Sequence, residues 1–390
     1  MHLIFNKEQI IKGLQKAASI SSQKSGTTFL KTVWLKWNEE RLQILATDSK
    51  IEFIAEYEVK AQEEGIVGIN GRSFYELIKK LPPGEITISL AEDGEYINLI
   101  QGSKKYKIIT YESSWFREFV EFPNKDYVKW YGDNFKEVIN RLYYFIPDDV
   151  SDDNKYLNLC KSHKPNHIVA YGVILHSFAM LTFEHNELYQ HLDDNLYLID
   201  KMFLNELRKW LENNEIYLTI HENRIFIKDE VNNEKISFPV IIKNDEDYNI
   251  YLEAFNNTNL STLIVNRKEL IDVLERISVF ASDIDELVTF IFNNDKLLIH
   301  SEGHNKGEAT EEILVNYSGQ IDSVFFLIKR TKQIIEHFHS ENIKIEFTTS
   351  DGPCKITGLD ESDNGYIVVT MPVRLKEEKY YEDEVIDSDE

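Results

Sequence analysis

Residues 6–19, NKEQIIKGLQKAAS, set apolar side chains at helical spacing behind an asparagine, and the arrangement returns as DNFKEVINRLYYFI at 133–146 and NRKELIDVLERISVF at 266–280. The matching triads are Ile10/Ile11/Leu14, Val138/Ile139/Leu142 and Leu270/Ile271/Leu274, offset by 128 and 132 residues. Each segment opens on Asn or Asp, the expected N-cap. A second helix pattern keeps the period: GRSFYELIKKLPPGEITISL from 71, DKMFLNELRKWLENNEIYLTI from 200 and IKRTKQIIEHFHSENIKIEF from 328. Aligning Leu77, Leu207 and Ile334 gives offsets of 130 and 127, and the following strand starts at Glu85, Glu215 and Asn342 give the same two values. Two independent features that hold one period of about 130 residues make the chain three copies of one unit.

Between the helices the sequence alternates with a period of two, as in RLQILATD, KIEFIAEYEV, KYKIITY, NRIFIKDE, DKLLIHSEG and EEILVNYSG, with Asn, Asp and Gly at the turns. Each unit is therefore expected to be α+β: several antiparallel strands and two helices, the helices on one face of the sheets. The expected domains are 1–125, 126–255 and 256–375, divided near 123–131 and 253–264, where proline or asparagine-rich sequence breaks the pattern. Residues 376–390, KEEKYYEDEVIDSDE, hold eight acids and two lysines with no apolar periodicity and read as a disordered acidic tail.

Of the 390 residues 42% are hydrophobic and 12% aromatic, enough for packed cores, and two cysteines are too few for a disulfide framework. No apolar run approaches the roughly 20 residues of a membrane span, and the N-terminal sequence enters a strand and helix without a signal-peptide pattern, so a soluble cytoplasmic protein is expected. The net charge of -24 argues against nucleic acid until its distribution is considered. The six repeated helices, taken as 7–18, 72–80, 134–142, 201–211, 266–276 and 329–339, carry 17 Lys and Arg against eight Asp and Glu. The remainder of the chain holds -33. Repetition places these helices equivalently, so their charges add into one positive surface suited to sequence-independent, salt-sensitive phosphate contact.

A threefold repeat with basic helices and a closing GYIVVTMPVRL (365–375) resembles the bacterial sliding clamp family, the beta subunit of DNA polymerase III. LATD (45–48), GRSFYELIKKLPPGEI (71–86) and KYLN (155–158) match the same family's habits. The resemblance spans 1–375 and implies a head-to-tail homodimer, closed into a ring around duplex DNA, helices lining the channel and antiparallel sheets outside. Its implied partners are the replicative polymerase catalytic subunit, the clamp loader and other proteins bearing a clamp-binding peptide. It implies DNA contacts at Lys24, Arg72, Lys155 and Tyr156, and the channel helices add Lys201 and Lys332. The loop before Lys155, PDDVSDDN (147–154), is acidic where the family touches DNA. A pocket for a hydrophobic-aromatic peptide is implied at Leu157, His176, Phe178, Tyr248, Ile250, Tyr251, Val369, Met371, Pro372 and Val373. AYGVILHSFAM (170–180) keeps only the histidine and a following apolar residue of the family pattern, and DEDYNIYLEA (245–254) lacks its proline.

No Gly-rich phosphate loop, G-x-S-x-G elbow or H-E-x-x-H occurs, so no catalysis is expected. His163 and His167 stand at H-x-x-x-H spacing in a loop without further ligands, and no metal or cofactor is expected. The alternative is a clamp-like scaffold that binds partner proteins without encircling DNA, for which the net charge and the acidic loop argue.

Overall fold

The computed structural model describes residues 2–21, 28–124, 126–149, 151–244, 248–256, 259–281, 286–293, 295–303 and 305–374. One order of elements passes three times. The first pass is β1 (His2–Asn6), α1 (Lys7–Ser21), β2 (Thr32–Trp37), β3 (Arg41–Thr47), β4 (Glu52–Glu58), β5 (Lys60–Ala61), β6 (Gly65–Asn70), α2 (Gly71–Lys80), β7 (Glu85–Leu90), β8 (Tyr96–Gln101) and β9 (Lys104–Ile109). The second is β10 (Val128–Tyr131), α3 (Gly132–Tyr143), β11 (Tyr156–Lys161), β12 (His167–Ile174), β13 (Ser177–Glu184), an extra helix α4 (Asn186–His191), β14 (Asn195–Asp200), α5 (Lys201–Trp210), β15 (Glu215–His221), β16 (Arg224–Asp229), β17 (Glu234–Pro239) and β18 (Ile241–Asn244). The third is β19 (Ser261–Asn266), α6 (Arg267–Ile277), β20 (Leu287–Asn293), β21 (Lys296–Gly303), β22 (Gly307–Leu314), β23 (Asn316–Ser318), β24 (Ser323–Leu327), α7 (Ile328–Glu336), β25 (Asn342–Phe347), β26 (Cys354–Gly358) and β27 (Tyr366–Thr370).

Pairing repeats with the order. The strand before the first helix pairs antiparallel with the strand after the second: β1 with β7, β10 with β15, β19 with β25. The strand after the first helix pairs with the one before the second: β2 with β6, β11 with β14, β20 with β24. The expected α+β fold, three repeats of helices and antiparallel sheets, is thus present as topology.

Strand passes into helix at one residue, and before α1, α2, α5 and α6 that residue caps, whereas Tyr131 before α3 and Leu327 before α7 do not. Asn6 Oδ1 accepts from Glu8 N (3.0 Å), Asn70 Oδ1 from Ser73 N (3.0 Å), Asp200 Oδ1 from Met202 N (3.0 Å) and Asn266 Oδ1 from Glu269 N (3.0 Å). The second repeat corrects the sequence reading, because Asp133 is not a cap. Helix α3 begins at Gly132 behind Tyr131, without a side-chain cap, and Asp133 lies in the first turn, where its charge faces the positive end of the helix dipole. The corner needs Gly132: a Cβ there would lie 2.2 Å from the Glu212 carbonyl oxygen.

The chain forms two compact units, one of Met1–Gly172 with Phe183–Glu246 and one of Val173–Thr182 with Asp247–Glu390. In the first, β17 joins β4 antiparallel, Glu234 opposite Ala55 and Ile236 opposite Phe53, which makes one sheet of order β10-β15-β16-β17-β4-β3-β2-β6. Buried Phe53, Ala55 and Ile236 line this seam, and Lys16 of α1 clamps it, its Nζ 2.7 Å from Glu234 and 3.1 Å from Glu212. In the second unit β27 joins β13, Phe178 opposite Val369, within the order β13-β27-β26-β25-β19-β23.

Both seams use equivalent strands: the last strand of one repeat's first sheet and the third strand of the preceding repeat's second sheet. The first repeat's version of the former is β9, at the end of β5-β1-β7-β8-β9, and the third repeat's version of the latter is β22, at the end of β22-β21-β20-β24. Among the described residues neither has a partner on its outer side.

Candidate functional site

The structure sorts the helix cations by what surrounds them. Arg72, in the first turn of α2, is exposed, as are Lys79 and Lys80 in its last turn and Lys12 on α1. Among the described residues no carboxylate lies within ion-pair distance of these four. The seven-residue step from Arg72 to Lys79 is about two helical turns, so both lie on one side of α2. Lys7 points its Nζ at the carbonyls of Lys79 (2.9 Å) and Leu81, filling acceptors that the end of α2 leaves open.

Two expected phosphate contacts stand differently. Lys201 is buried: its Nζ donates to the Ile146 carbonyl, pairs with Asp148 at 2.8 Å and lies 4.5 Å from the centre of the Tyr143 ring. It ties the acidic loop to α5 and is not a free cation. Lys332 of α7 lies 2.6 Å from Glu275 of α6 and 3.5 Å from Glu336, and the hydrogen bond to Glu275 raises its pKa. Its charge is already answered from two sides. Lys155 is half-buried with Nζ 5.6 Å from the ring centre of its neighbour Tyr156, and its carbonyl accepts from Lys201 N at 3.0 Å. In the acidic loop, Asp149 accepts from the N and Oγ of Ser151 (2.8 and 2.7 Å) and Asp152 from Asn154 N (2.8 Å), so these carboxylates form turns. Lys24 lies outside the described residues.

Residues expected in the peptide pocket gather in the second unit. Phe178 and Val369 face each other across the β13–β27 pair, and beside them Ser177 Oγ and Thr370 Oγ1 are 2.8 Å apart. The 3-10 turn Tyr248–Tyr251 lays the Tyr251 ring on Phe178, centroids 4.3 Å apart at 12°. Such a stack contributes about 1 kcal/mol beyond area burial. Tyr248, Phe178 and Val369 are all buried, Phe178 at 2%, so the solvent-facing part of the patch is Ile250, 64% exposed, and Tyr251, 38% exposed.

The segment after β27 is pinned. Met371 N donates to the His176 carbonyl (3.1 Å), Arg330 donates to the Met371 carbonyl (2.5 Å), and Val373 N donates to the Phe325 carbonyl (2.8 Å). Pro372, buried between these two donors, has no N–H to satisfy. Beneath it the Cys354 thiol donates to the Thr370 carbonyl (3.3 Å), and full burial pushes its pKa up to about 12. His176 is exposed in the turn before β13, next to Leu175, which is 84% exposed at φ 48. Leu157 departs from the set: it belongs to the first unit, wholly buried on β11 opposite Ile199, and presents no surface there.

Sequence reasoning left out Lys12, Lys79 and Lys80 as named contacts, although helical spacing carried the signal for the α2 pair. It also left out Leu175, whose exposure arises from a left-handed turn that no apolar pattern announces. Among the described residues no three His, Cys, Asp or Glu side chains gather as a metal site.

Comparison with known proteins bears on the family and the fold. The family model for the N-terminal domain of the DNA polymerase III beta subunit matches residues 1–119, and that for its C-terminal domain matches 254–374. The beta sliding clamp of Chlamydia pneumoniae is 20% identical over 392 residues, covering 97% of this chain and all of that protein. The DNA polymerase sliding clamp of Bacillus subtilis superposes with a TM-score of 0.87 at 16% identity, and the Pseudomonas aeruginosa clamp bound to griselimycin with 0.85 at 18%. Each structure aligns with 96% of this chain over its own full length. With two domain models of one family matching most of the chain, and the same fold throughout, the chain belongs to the DNA polymerase III beta subunits, the bacterial sliding clamps.

Proposed function

We propose that two copies of this chain close head to tail into a ring around duplex DNA and act, without catalysis, as a cytoplasmic processivity clamp. The observation that carries this reading is the pair of open edges. Strands β17 and β27 each find a hairpin strand of the preceding repeat, β4 and β13, whereas β9 and β22 have none among the described residues. A second copy supplies both partners at once, β9 of each to β22 of the other, which closes six domains divided as 1–125, 126–255 and 256–375 in each chain. Lys104, Lys105 and Lys107 are exposed on β9 and Glu308 on β22, whose Glu311 and Glu312 are each paired within the chain, with Arg276 and Lys296, at 2.6 Å. Ile109 and Leu314, 78% and 70% exposed, end the two strands with apolar surface for the same seam.

In this reading Lys12, Arg72, Lys79 and Lys80 meet phosphates, with Lys24 added from the family resemblance. Weak contacts of this kind let the ring slide, because retention is topological. The Phe178/Tyr251/Met371 surface takes the hydrophobic-aromatic peptides of the replicative polymerase, the clamp loader and other partners. The neutralised Lys201 and Lys332 favour a second reading, a scaffold that binds partners without DNA.

Light scattering across a concentration series, followed by retention on nicked circular DNA, tests the proposal. A mass about twice 45.8 kDa, with release from the circle on linearisation, is expected. A monomer at every concentration removes the ring, and a dimer that circular DNA does not retain leaves the scaffold.

A further inference from the structure

The two seams are built from the same parts. Where β17 meets β4, Ser237 lies opposite Glu52 and Ile236 opposite Phe53; where β27 meets β13, Thr370 lies opposite Ser177 and Val369 opposite Phe178. The hairpin turns that lead into β4 and β13 each hold a non-glycine residue in the left-handed region, Ser49 at φ 84 and Leu175 at φ 48. Strands β17 and β27 both run out through Pro-Val, at 239–240 and 372–373, 133 residues apart. Each linker between repeats carries a 3-10 turn that ends on an exposed aromatic residue, Trp115 in Ser113–Trp115 and Tyr251 in Tyr248–Tyr251. The first seam therefore holds the counterparts of the elements that make the peptide surface at the second.

At the first seam these elements line a cavity of about 560 Å³, a volume suited to a ligand. Thr47, Ser49 and Glu52 form its walls on the hairpin side, and Trp115, Arg117 and Phe119 on the linker side. The linker is anchored before anything binds. Phe116 meets Trp34 edge-on at 5.4 Å, Trp115 stacks on Tyr111 at 6.0 Å and 13°, and Val120 N donates to Glu52 Oε2 at 3.0 Å. The acids of the wall are already engaged: Glu52 also lies 3.4 Å from Arg224, and Glu118 lies 2.8 Å from Lys36. Arg117 is exposed, and among the described residues no carboxylate lies within ion-pair distance of it. The unanswered charge of the cavity is thus one guanidinium on a wall shared with Trp115 and Phe119.

We propose that the cavity at the first seam is a second peptide site, and that its occupant is an acidic-aromatic segment of a partner protein, with an aromatic side chain against Trp115 and Phe119 and a neighbouring carboxylate on Arg117. This rests on the reading of the Phe178/Tyr251 surface as a peptide site, since the shared elements carry that reading from one seam to the other. A planar guanidinium takes a carboxylate through two parallel hydrogen bonds, which favours an acid over an amide at that position. An exposed tryptophan is a common anchor of protein interfaces, and a wall that is already ordered loses little entropy on binding. The two sites then select differently: the second seam offers Ile250 and Tyr251, and the first adds a free cation. Each chain docks two partner segments at once.

The test titrates the full chain by fluorescence anisotropy with two labelled probes. One is the synthetic peptide Asp-Leu-Phe-Asp; the other is a hydrophobic-aromatic peptide from the replicative polymerase subunit of the same genome. Binding of the acidic probe is expected to fall at least about tenfold on Trp115→Ala and on Arg117→Glu, to weaken as salt rises, and to survive Ile250→Asp. All three positions are exposed, and an unchanged thermal midpoint shows that each variant folds. The polymerase peptide is expected to lose affinity on Ile250→Asp. Failure of the acidic probe to bind overturns the second site, as does binding that neither Trp115→Ala nor Arg117→Glu alters. Loss of the acidic probe on Ile250→Asp alone places it at the second seam and overturns the proposal too. Failure of the reading of the second seam is distinct: there the polymerase peptide does not bind, or binds without regard to Ile250→Asp, whatever the acidic probe does.

Discussion

Strands β17 and β9 hold the same place in neighbouring repeats, yet among the described residues one is paired on both sides and the other on one. The closed strand pairs with β4, buries Ile236 and carries Glu234 inward to Lys16. The open strand has the exposure of an edge, with Lys104, Lys105, Lys107 and Ile109 facing solvent. A long bare edge invites pairing with any strand, and lysines are a common device that prevents it. In the proposed ring these lysines would face β22, where Glu308 is exposed and Glu311 and Glu312 would have to exchange Arg276 and Lys296 for them.

That difference predicts the largest effect. Charge reversal of Lys104, Lys105 and Lys107 to glutamate places like charges along both seams of a ring and is expected to weaken dimerisation by at least about 100-fold. Reversal of Glu308, Glu311 and Glu312 to lysine has the same consequence. Mixing the two variants restores complementarity at both seams while each variant still repels itself, so only the mixture sediments as a dimer. Two variants that each remain dimeric, or a mixture that stays monomeric, would break the proposed pairing of edges.

The closed seam responds to a different change. Lys16→Met leaves Glu234 buried against Glu212 and Asp229 without its ammonium, and removing one member of a buried ion pair costs about 3 kcal/mol. Thermal unfolding of the first unit is expected to shift downward by several degrees while the light-scattering mass stays unchanged. A loss of dimer without a loss of stability would show that Lys16 supports the open edges instead.

The helices show the contrast between repeats on a smaller scale. Among the described residues no carboxylate lies within ion-pair distance of Arg72, Lys79 or Lys80 on α2, whereas Lys332 on α7 sits between Glu275 and Glu336. Each lost phosphate contact lowers the slope of log affinity against log salt by about 0.9. Arg72→Glu with Lys79→Glu and Lys80→Glu is therefore expected to flatten the salt dependence of DNA retention markedly, and Lys332→Gln to leave it within error. Equal effects would mean that the ion pairs of α7 open when DNA is present.

Much of this was legible in the sequence, for physical reasons that also mark its limits. The threefold period survives in Ile10, Val138 and Leu270 because each fills the same buried helix position, and burial constrains residue type. Met371 was singled out through the MPVRL motif and Phe178 through the resemblance of 170–180, since alternation alone describes any buried strand. The state of each cation was not legible. Lys201 and Arg72 look alike in sequence, but Asp148 reaches Lys201 through a loop fold that no local pattern encodes. The seams were equally hidden, because β17 meets β4 across nearly 180 residues with no repeat between the two strands to announce the pairing.

The smallest expected effect separates the closed strand from the open one by pH. Burial raises the Glu234 pKa from its ordinary value, Lys16 only partly offsets this, and Asp229 and Glu212 add to it. The folded chain therefore takes up a proton at Glu234 more readily than the unfolded chain. Stability from this group is fully present below the unfolded carboxylate's pKa and is lost as pH rises through the higher folded value. Unfolding measured for the native chain and for Glu234→Gln should show the native chain gaining on the variant as pH falls from neutral, since only the native side chain has a proton to acquire. Glu234 belongs to the β17–β4 pair and not to β9, so the light-scattering mass of both proteins should stay constant through that window. A stability difference that does not change with pH, or one that grows in the opposite direction, would mean that Glu234 is held ionised by Lys16 and that the seam is an ion pair without a titrating member.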